Sequence, residues 1–181
     1  MSRYDAILDD IEAVALSEKV PISLIEWVVT KKAHSETLAL SAPLSCNGVQ
    51  VSGARLEMHG PRAVPMNRPF YGLVALLFAT VQGVTYHLGR IEFDPENPLK
   101  PHRNRMGPHK APPIVQGAQI HRFASNRYLG VDAFKPEGEL PIAFPLTQEF
   151  VTFDDVLKIV RNEFVIPDLW VEEPGWSRTL V

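Results

Sequence analysis

The stretch Phe70–Val81 (FYGLVALLFATV) does most to limit what this chain can fold into, because nearly every side chain in it is apolar. Uniform apolarity over this length suits a central strand with both faces covered, and the pattern alone leaves a short buried helix open. Gln82-Gly83 then turns the chain into Val84–Asp94, where His87, Ile91 and Phe93 are assigned to one face and Tyr86, Leu88, Arg90 and Glu92 to the other. Upstream, Pro21–Thr30 is rich in β-branched residues and reads as a strand, as do Thr37–Ser41 and Val49–His59. In the last of these Ala54, Leu56 and Met58 share one side, and Arg55, Glu57 and His59 the other. Asn47-Gly48 tolerates positive φ at both positions and marks a tight turn, and His59-Gly60-Pro61 stops the strand. The expectation is an antiparallel β-meander of about four or five strands.

Both ends of the chain supply a helix. Ser2–Leu16 repeats Ile7, Leu8, Ile11, Val14 and Ala15 at helical spacing, with Ser2 as the cap and Asp9, Asp10 and Glu12 on the outer face. Thr152–Phe164 carries the stripe Phe153, Val156, Leu157, Val160 and Phe164, and Thr152 with Asp155 forms a capping box. A short strand at Gly117–Phe123 and an extended apolar piece at Leu140–Pro145 (LPIAFP) complete the reading. The fold class expected is α+β, a meander sheet packed on one face by the N-terminal and C-terminal helices. With no Gly/Ser-rich linker and no internal repeat, residues 1–181 read as one domain.

Composition removes several function classes. A single cysteine, Cys46, excludes an internal disulfide and a Cys-rich zinc site. The longest apolar run, Tyr71–Val81, is too short to span a bilayer, and the acidic first fifteen residues do not resemble a signal peptide. No membrane association and a cytoplasmic location are expected. A net charge of -3 argues against broad nucleic-acid affinity, while leaving room for a local basic cleft. No P-loop, dinucleotide fingerprint or G-x-S-x-G motif occurs, and no cofactor is expected.

Functional groups concentrate in His87–Asn126, which holds four of the six histidines. From Asn97 to Val131 there is no Asp or Glu, while Lys100, Arg103, Arg105, Lys110, Arg122 and Arg127 all fall inside. Imidazole titrates near neutrality, so a His pair can supply both base and acid. Arg beside it can hold a phosphate and stabilise negative charge. The candidate catalytic set is His102 and His121 with Asn104 as orienter. The candidate phosphate clamp is Arg90, Arg103 and Arg122, with Tyr128 or Phe123 to stack a base. A site at His102, His109 and His121 with Glu92 or Asp94 would be the metal alternative. The compact ligand spacings are missing and the positive surroundings repel a cation, so no metal is expected. His87 on its strand, and His34 and His59, read as structural or solvated, and His109 as exposed.

The order Arg90, Pro101-His102-Arg103-Asn104, then Gly117-x-x-Ile120-His121-Arg122-Phe123, resembles a group of uncharacterised bacterial proteins. These carry a P-H-x-N segment followed by G-x-H-x-H-x-[YF]. Here Gln119 stands at the first histidine of the second segment, and Arg105 where a proline is usual. The resemblance covers about residues 85–167. It implies that His102, Asn104 and His121 form one site, and it brings no activity with it.

The resulting expectation is a phosphate- or RNA-acting protein of the bacterial or phage conflict type. Its mechanism would be metal-independent endoribonuclease chemistry by His102 and His121. The alternative is a non-catalytic binding or inhibitor protein, antitoxin-like, which uses the same basic surface on RNA, a nucleoprotein or another protein. The tail DLWVEEPGWSRTLV, with Trp170 and Trp176 around Glu172-Glu173, reads as an arm that docks on its own body or on a second subunit as a homodimer contact.

Overall fold

The computed structural model describes residues 3–32, 35–95, 100–104 and 110–180. Ser2, His34, Arg105 and His109 lie outside them. In chain order the elements are α1 (Arg3–Leu16), β1 (Lys19–Pro21), β2 (Val28–Lys32), β3 (Ser35–Cys46), β4 (Val49–Pro61) and β5 (Ala63–Pro65). There follow β6 (Val74–Val81), β7 (Val84–Glu92), β8 (His102–Arg103), β9 (Ile114–Val115) and β10 (Gln119–Arg122). A single helical turn α2 (Phe123–Asn126), β11 (Phe144–Pro145), α3 (Phe153–Phe164) and β12 (Ser177–Thr179) complete the chain.

The fold is α+β. The main sheet runs β1-β3-β4-β6-β7-β10-β11, with β2 also on β3, and every pairing in it is antiparallel. The two tight turns that order it have left-handed backbone at both central residues, φ 49° and 75° at Asn47-Gly48 and 51° and 78° at Gln82-Gly83. These values fit the twist of an antiparallel hairpin.

One face of the sheet carries Leu56, Met58, Ala75, Leu77, Leu88, Ile91 and Ile120 into a core shared with Ile7 and Ile11 of α1 and Val156, Val160 and Phe164 of α3. The α3 stripe is buried as the periodicity predicts, and its capping box is formed by Thr152 and Asp155. The ring of Phe164 comes so close to the sheet at Gly89 that a Cβ there would lie 2.7 Å from ring carbon Cε1.

Three expected strands are redrawn. Pro21–Thr30 pairs only at its ends, as β1 and β2, because ten residues from Lys19 to Val28 face eight from Cys46 to Ala39. Ile22 N–H still bonds to the Pro43 carbonyl (3.1 Å), and the excess carries residues 23–27 off the edge. Of Phe70–Val81 only the part from Val74 is strand; Gly72, at φ 66°, breaks the run, and Phe70 packs instead on Phe150 and Trp176. In β7 a bulge replaces strict alternation: Leu77 faces Gly89 and Phe78 faces His87, leaving Leu88 unpaired. Tyr86, Leu88, Ile91 and Phe93 are therefore all buried in the core, and His87, Arg90 and Glu92 are the residues left half-buried.

A buried lysine joins the two long helices. Lys19 is fully buried, and its Nζ donates to the carbonyls of Ala15 (3.0 Å), Ser17 (2.7 Å) and Phe164 (2.9 Å). One ammonium thus satisfies carbonyls at the C-terminal ends of α1 and α3, where the helix dipoles favour a cation.

Candidate functional site

Two residues beyond the bulge in β7, Arg90 stands opposite His121 of β10, with the two Cα positions paired across the ladder. His121 is fully buried. Its Nδ1 lies 2.6 Å from the Leu140 carbonyl oxygen, and its Nε2 lies 2.9 Å from Nη2 of Arg90. A carbonyl can only accept and a guanidinium can only donate, so Nδ1 carries the proton and Nε2 accepts. Arg90 is held in turn by Glu92, with Nε 3.1 Å from Oε1. Burial, then the neighbouring Arg90 cation, pushes the pKa of His121 down to about 2. The imidazole is neutral at any physiological pH, and both of its nitrogens are engaged.

His102 stands against it edge to face, with ring centroids 4.9 Å apart. The two histidines expected to converge do so. His102 Nε2 is 2.8 Å from the Pro141 carbonyl oxygen, so it donates to the next peptide along from the one His121 holds. Two asparagines continue the series. Asn126, fully buried, accepts from Ile142 N–H (2.8 Å) and donates to Ile142 C=O (3.1 Å). Asn104 accepts from Ala143 N–H (2.9 Å) and donates to Ala143 C=O (2.8 Å), and donates also to Pro112 C=O (2.7 Å).

Four consecutive peptides, Leu140–Ala143, are thus each held by one side chain, and the side-chain type follows the need. Pro141 has no N–H, and Leu140 N–H is already bonded to Ala133 C=O (3.0 Å). Those two residues have only a carbonyl to satisfy, and an imidazole N–H does so. Ile142 and Ala143 each present a donor and an acceptor, and each meets a carboxamide, which carries both. The segment enters this clamp through two left-handed residues, Glu139 and Leu140, both at φ 52°, and leaves it as β11, paired to β10. Side chains do for Leu140–Ala143 what a neighbouring strand does for β11.

The other expected site residues separate. Arg122 makes a two-point pair with Glu163 of α3, at 2.8 and 2.6 Å, which holds its charge firmly. Arg127 pairs with Asp9 and Glu12 of α1. Phe123 is buried and stacked on Phe134, centroids 4.5 Å apart, so it offers no platform for a base; Tyr128 is exposed. His87 is half-buried, edge-on to Phe78 at 4.5 Å, and burial lowers its pKa. Among the described residues no three His, Cys, Asp or Glu side chains group where they could hold a metal.

Of the expected phosphate clamp, Arg103 alone points to solvent. It lies in the short antiparallel pair β8–β9, two residues to a strand, where His102 faces Val115 and Arg103 faces Ile114. Strand alternation sends His102 and Asn104 inward to the clamp and Arg103 outward with the exposed Ile114. Lys100 and Lys110, also exposed, stand at either end of this hairpin region. None of the three cations forms an ion pair with a described residue, in contrast to Arg90, Arg122 and Arg127.

Asn126 is the member of the clamp that sequence reasoning passed over. It closes a helical turn sixteen residues from its partner, and nothing local marks it. No known protein family, curated protein or solved structure matches the chain.

Proposed function

We propose that this protein binds a phosphate-bearing partner, RNA in the first instance, and does not cleave it. The observation that carries this reading is the engagement of both His121 nitrogens in a fully buried setting. A general acid or base needs a nitrogen within reach of a substrate proton and a pKa near the working pH. His121 has neither. His102 spends its Nε2 on Pro141. The pair supports a bracing role: with Asn104 it fixes the hairpin that turns Arg103 outward.

The charge pattern supports the ligand class. All 21 acidic residues lie outside Asn97–Val131, and Lys100, Arg103 and Lys110 are the exposed cations of that stretch without a described carboxylate partner. Phosphate contacts by such groups release counterions, so affinity falls with salt.

The test is fluorescence anisotropy of a labelled single-stranded RNA across a salt series, with RNA integrity followed on a gel. Saturable binding without cleavage is expected. Arg103→Ala should lower the slope of log affinity against log salt by roughly 0.7, the value for one lost single-strand phosphate contact. Cleavage that persists in EDTA and vanishes in His102→Ala would restore the endoribonuclease reading. Binding that ignores both salt and Arg103 would remove the phosphate ligand.

A further inference from the structure

The C-terminal strap supplies a second surface, of opposite charge, that the RNA reading leaves unused. Leu169 and Val171 are buried, so the extended backbone between them turns Trp170 and Glu172 outward, and Trp170 is 65% exposed. The strap is fixed from both sides. Trp27 Nε1 donates to the Glu172 carbonyl at 2.9 Å, and Trp176 packs edge-on against Phe70 and Phe153 with centroids 5.9 Å away. Trp176 therefore anchors the tail on its own body, and Trp170 is the indole left over.

Trp170 sits where two grooves meet, each of about 440 Å³, and Glu172 and Glu173 line both. The first is completed by the N-terminal end of α3 with Asp154, the second by Leu24, Glu26 and Trp27. Among the described residues no lysine or arginine lines either groove. Glu173 pairs with Arg178 at 3.8 Å and Asp154 with Arg161 at 3.5 Å, both long for ion pairs. Glu26 and Glu172 form no ion pair with a described residue. The floor is apolar as well: Leu24 is 79% exposed beside the partly buried Ile25 and Trp27.

We infer that this double groove docks a cationic peptide segment of another protein, one that carries arginine or lysine beside an aliphatic side chain. Charge complementarity selects the occupant: Glu26 and Glu172, which form no ion pair with a described residue, flank an exposed indole, and a guanidinium can stack on the indole while bonding a carboxylate. The fold already contains one such arrangement. The Arg178 guanidinium lies over the Trp176 ring at 5.4 Å and also approaches Glu173. Trp170 with Glu172 offers the same pair of groups with the cation still to come. The aliphatic neighbour would cover Leu24.

The test is isothermal titration of the full chain with a short peptide amide that alternates arginine and leucine, and with its glutamate–leucine counterpart. One-to-one binding of the first and none of the second is expected, with affinity falling as salt rises. Trp170→Ala, and separately Glu26→Gln with Glu172→Gln, should each weaken it by about tenfold or more, as expected for an anchor residue. All three side chains are exposed, so thermal unfolding of the variants should match the parent and exclude a folding defect. Equal binding of both peptides, or undiminished binding by the variants, would overturn the proposal. So would a concentration-dependent dimer abolished by Trp170→Ala with no peptide binding, which would make a second copy of this chain the occupant.

Discussion

The Nδ1 of His121 lies 2.6 Å from the carbonyl oxygen of Leu140, nineteen residues on, inside a fully buried clamp. That bond, with the Arg90 contact behind it, makes the histidine a bracing group. His121→Ala would leave the Leu140 carbonyl and the Arg90 guanidinium facing a cavity. A loss of about 3–5 kcal/mol in unfolding free energy is expected, measured by chemical denaturation. His102→Ala, at a half-buried ring with one carbonyl partner, should cost less, about 1–2 kcal/mol.

Burial of the His121 ring, with the Arg90 cation beside it, sets a pH dependence that the Leu140 bond opposes only in part. The folded pKa of His121 is depressed from 6.5 to about 2, so the unfolded chain binds the extra proton first. Stability from this group is complete above pH 6.5 and is lost as pH falls toward 2, by about 1.4 kcal/mol per unit. His87, also depressed by burial, acts with the same sign. The difference in unfolding free energy between pH 7 and pH 5 should shrink in His121→Ala, by calorimetry or denaturant titration.

Asn126 tests the donor and acceptor matching. Asn126→Asp keeps the acceptor for Ile142 N–H but loses the donor to Ile142 C=O and buries a carboxylate. It should destabilise at neutral pH by about 3 kcal/mol and recover in part in acid, where the protonated form regains a donor. Recovery would appear as a midpoint that rises relative to the parent as pH falls.

Lys19 predicts a cost of another kind. Lys19→Met keeps much of the buried volume and removes the donor shared by Ala15, Ser17 and Phe164. Unsatisfied carbonyls at two helix ends should cost about 2–4 kcal/mol, with faster hydrogen exchange in the last turns of α1 and α3.

Gly89→Ala should cost about 1–3 kcal/mol, because its Cβ would press on the Phe164 ring and the packed core has little room to yield. Pairing with Phe164→Leu, which relieves the contact, should give less than the sum of the two single losses in a double-mutant cycle.

Local rules made much of this fold legible. The Thr152–Asp155 box, the stripe of α3, the two glycine turns and the alternation from Ala54 to Met58 are all fixed by residues a few positions apart. The bulge at Leu88 is not, because Tyr86, Leu88, Ile91 and Phe93 fit no single parity until the pairing with Leu77 and Phe78 is known. The clustering of histidines and cations did lead to His102 and His121 as neighbours. Their orientation was not readable, since an imidazole aimed at solvent and one aimed at a buried carbonyl have the same sequence signature. The burial of Lys19 has no local signature either, because Phe164, one of its three carbonyl partners, arrives from the far end of the chain.

The most direct measurement is the ring nitrogen spectrum of His121, by long-range ¹H–¹⁵N correlation on the labelled protein from pH 8 to 5, assigned with His121→Gln. A clamp predicts one unchanging pattern, protonated at Nδ1 and bare at Nε2, across the whole range. A titration with a midpoint near neutrality, or a ring protonated at Nε2, would contradict it and return His121 to the list of acid–base groups.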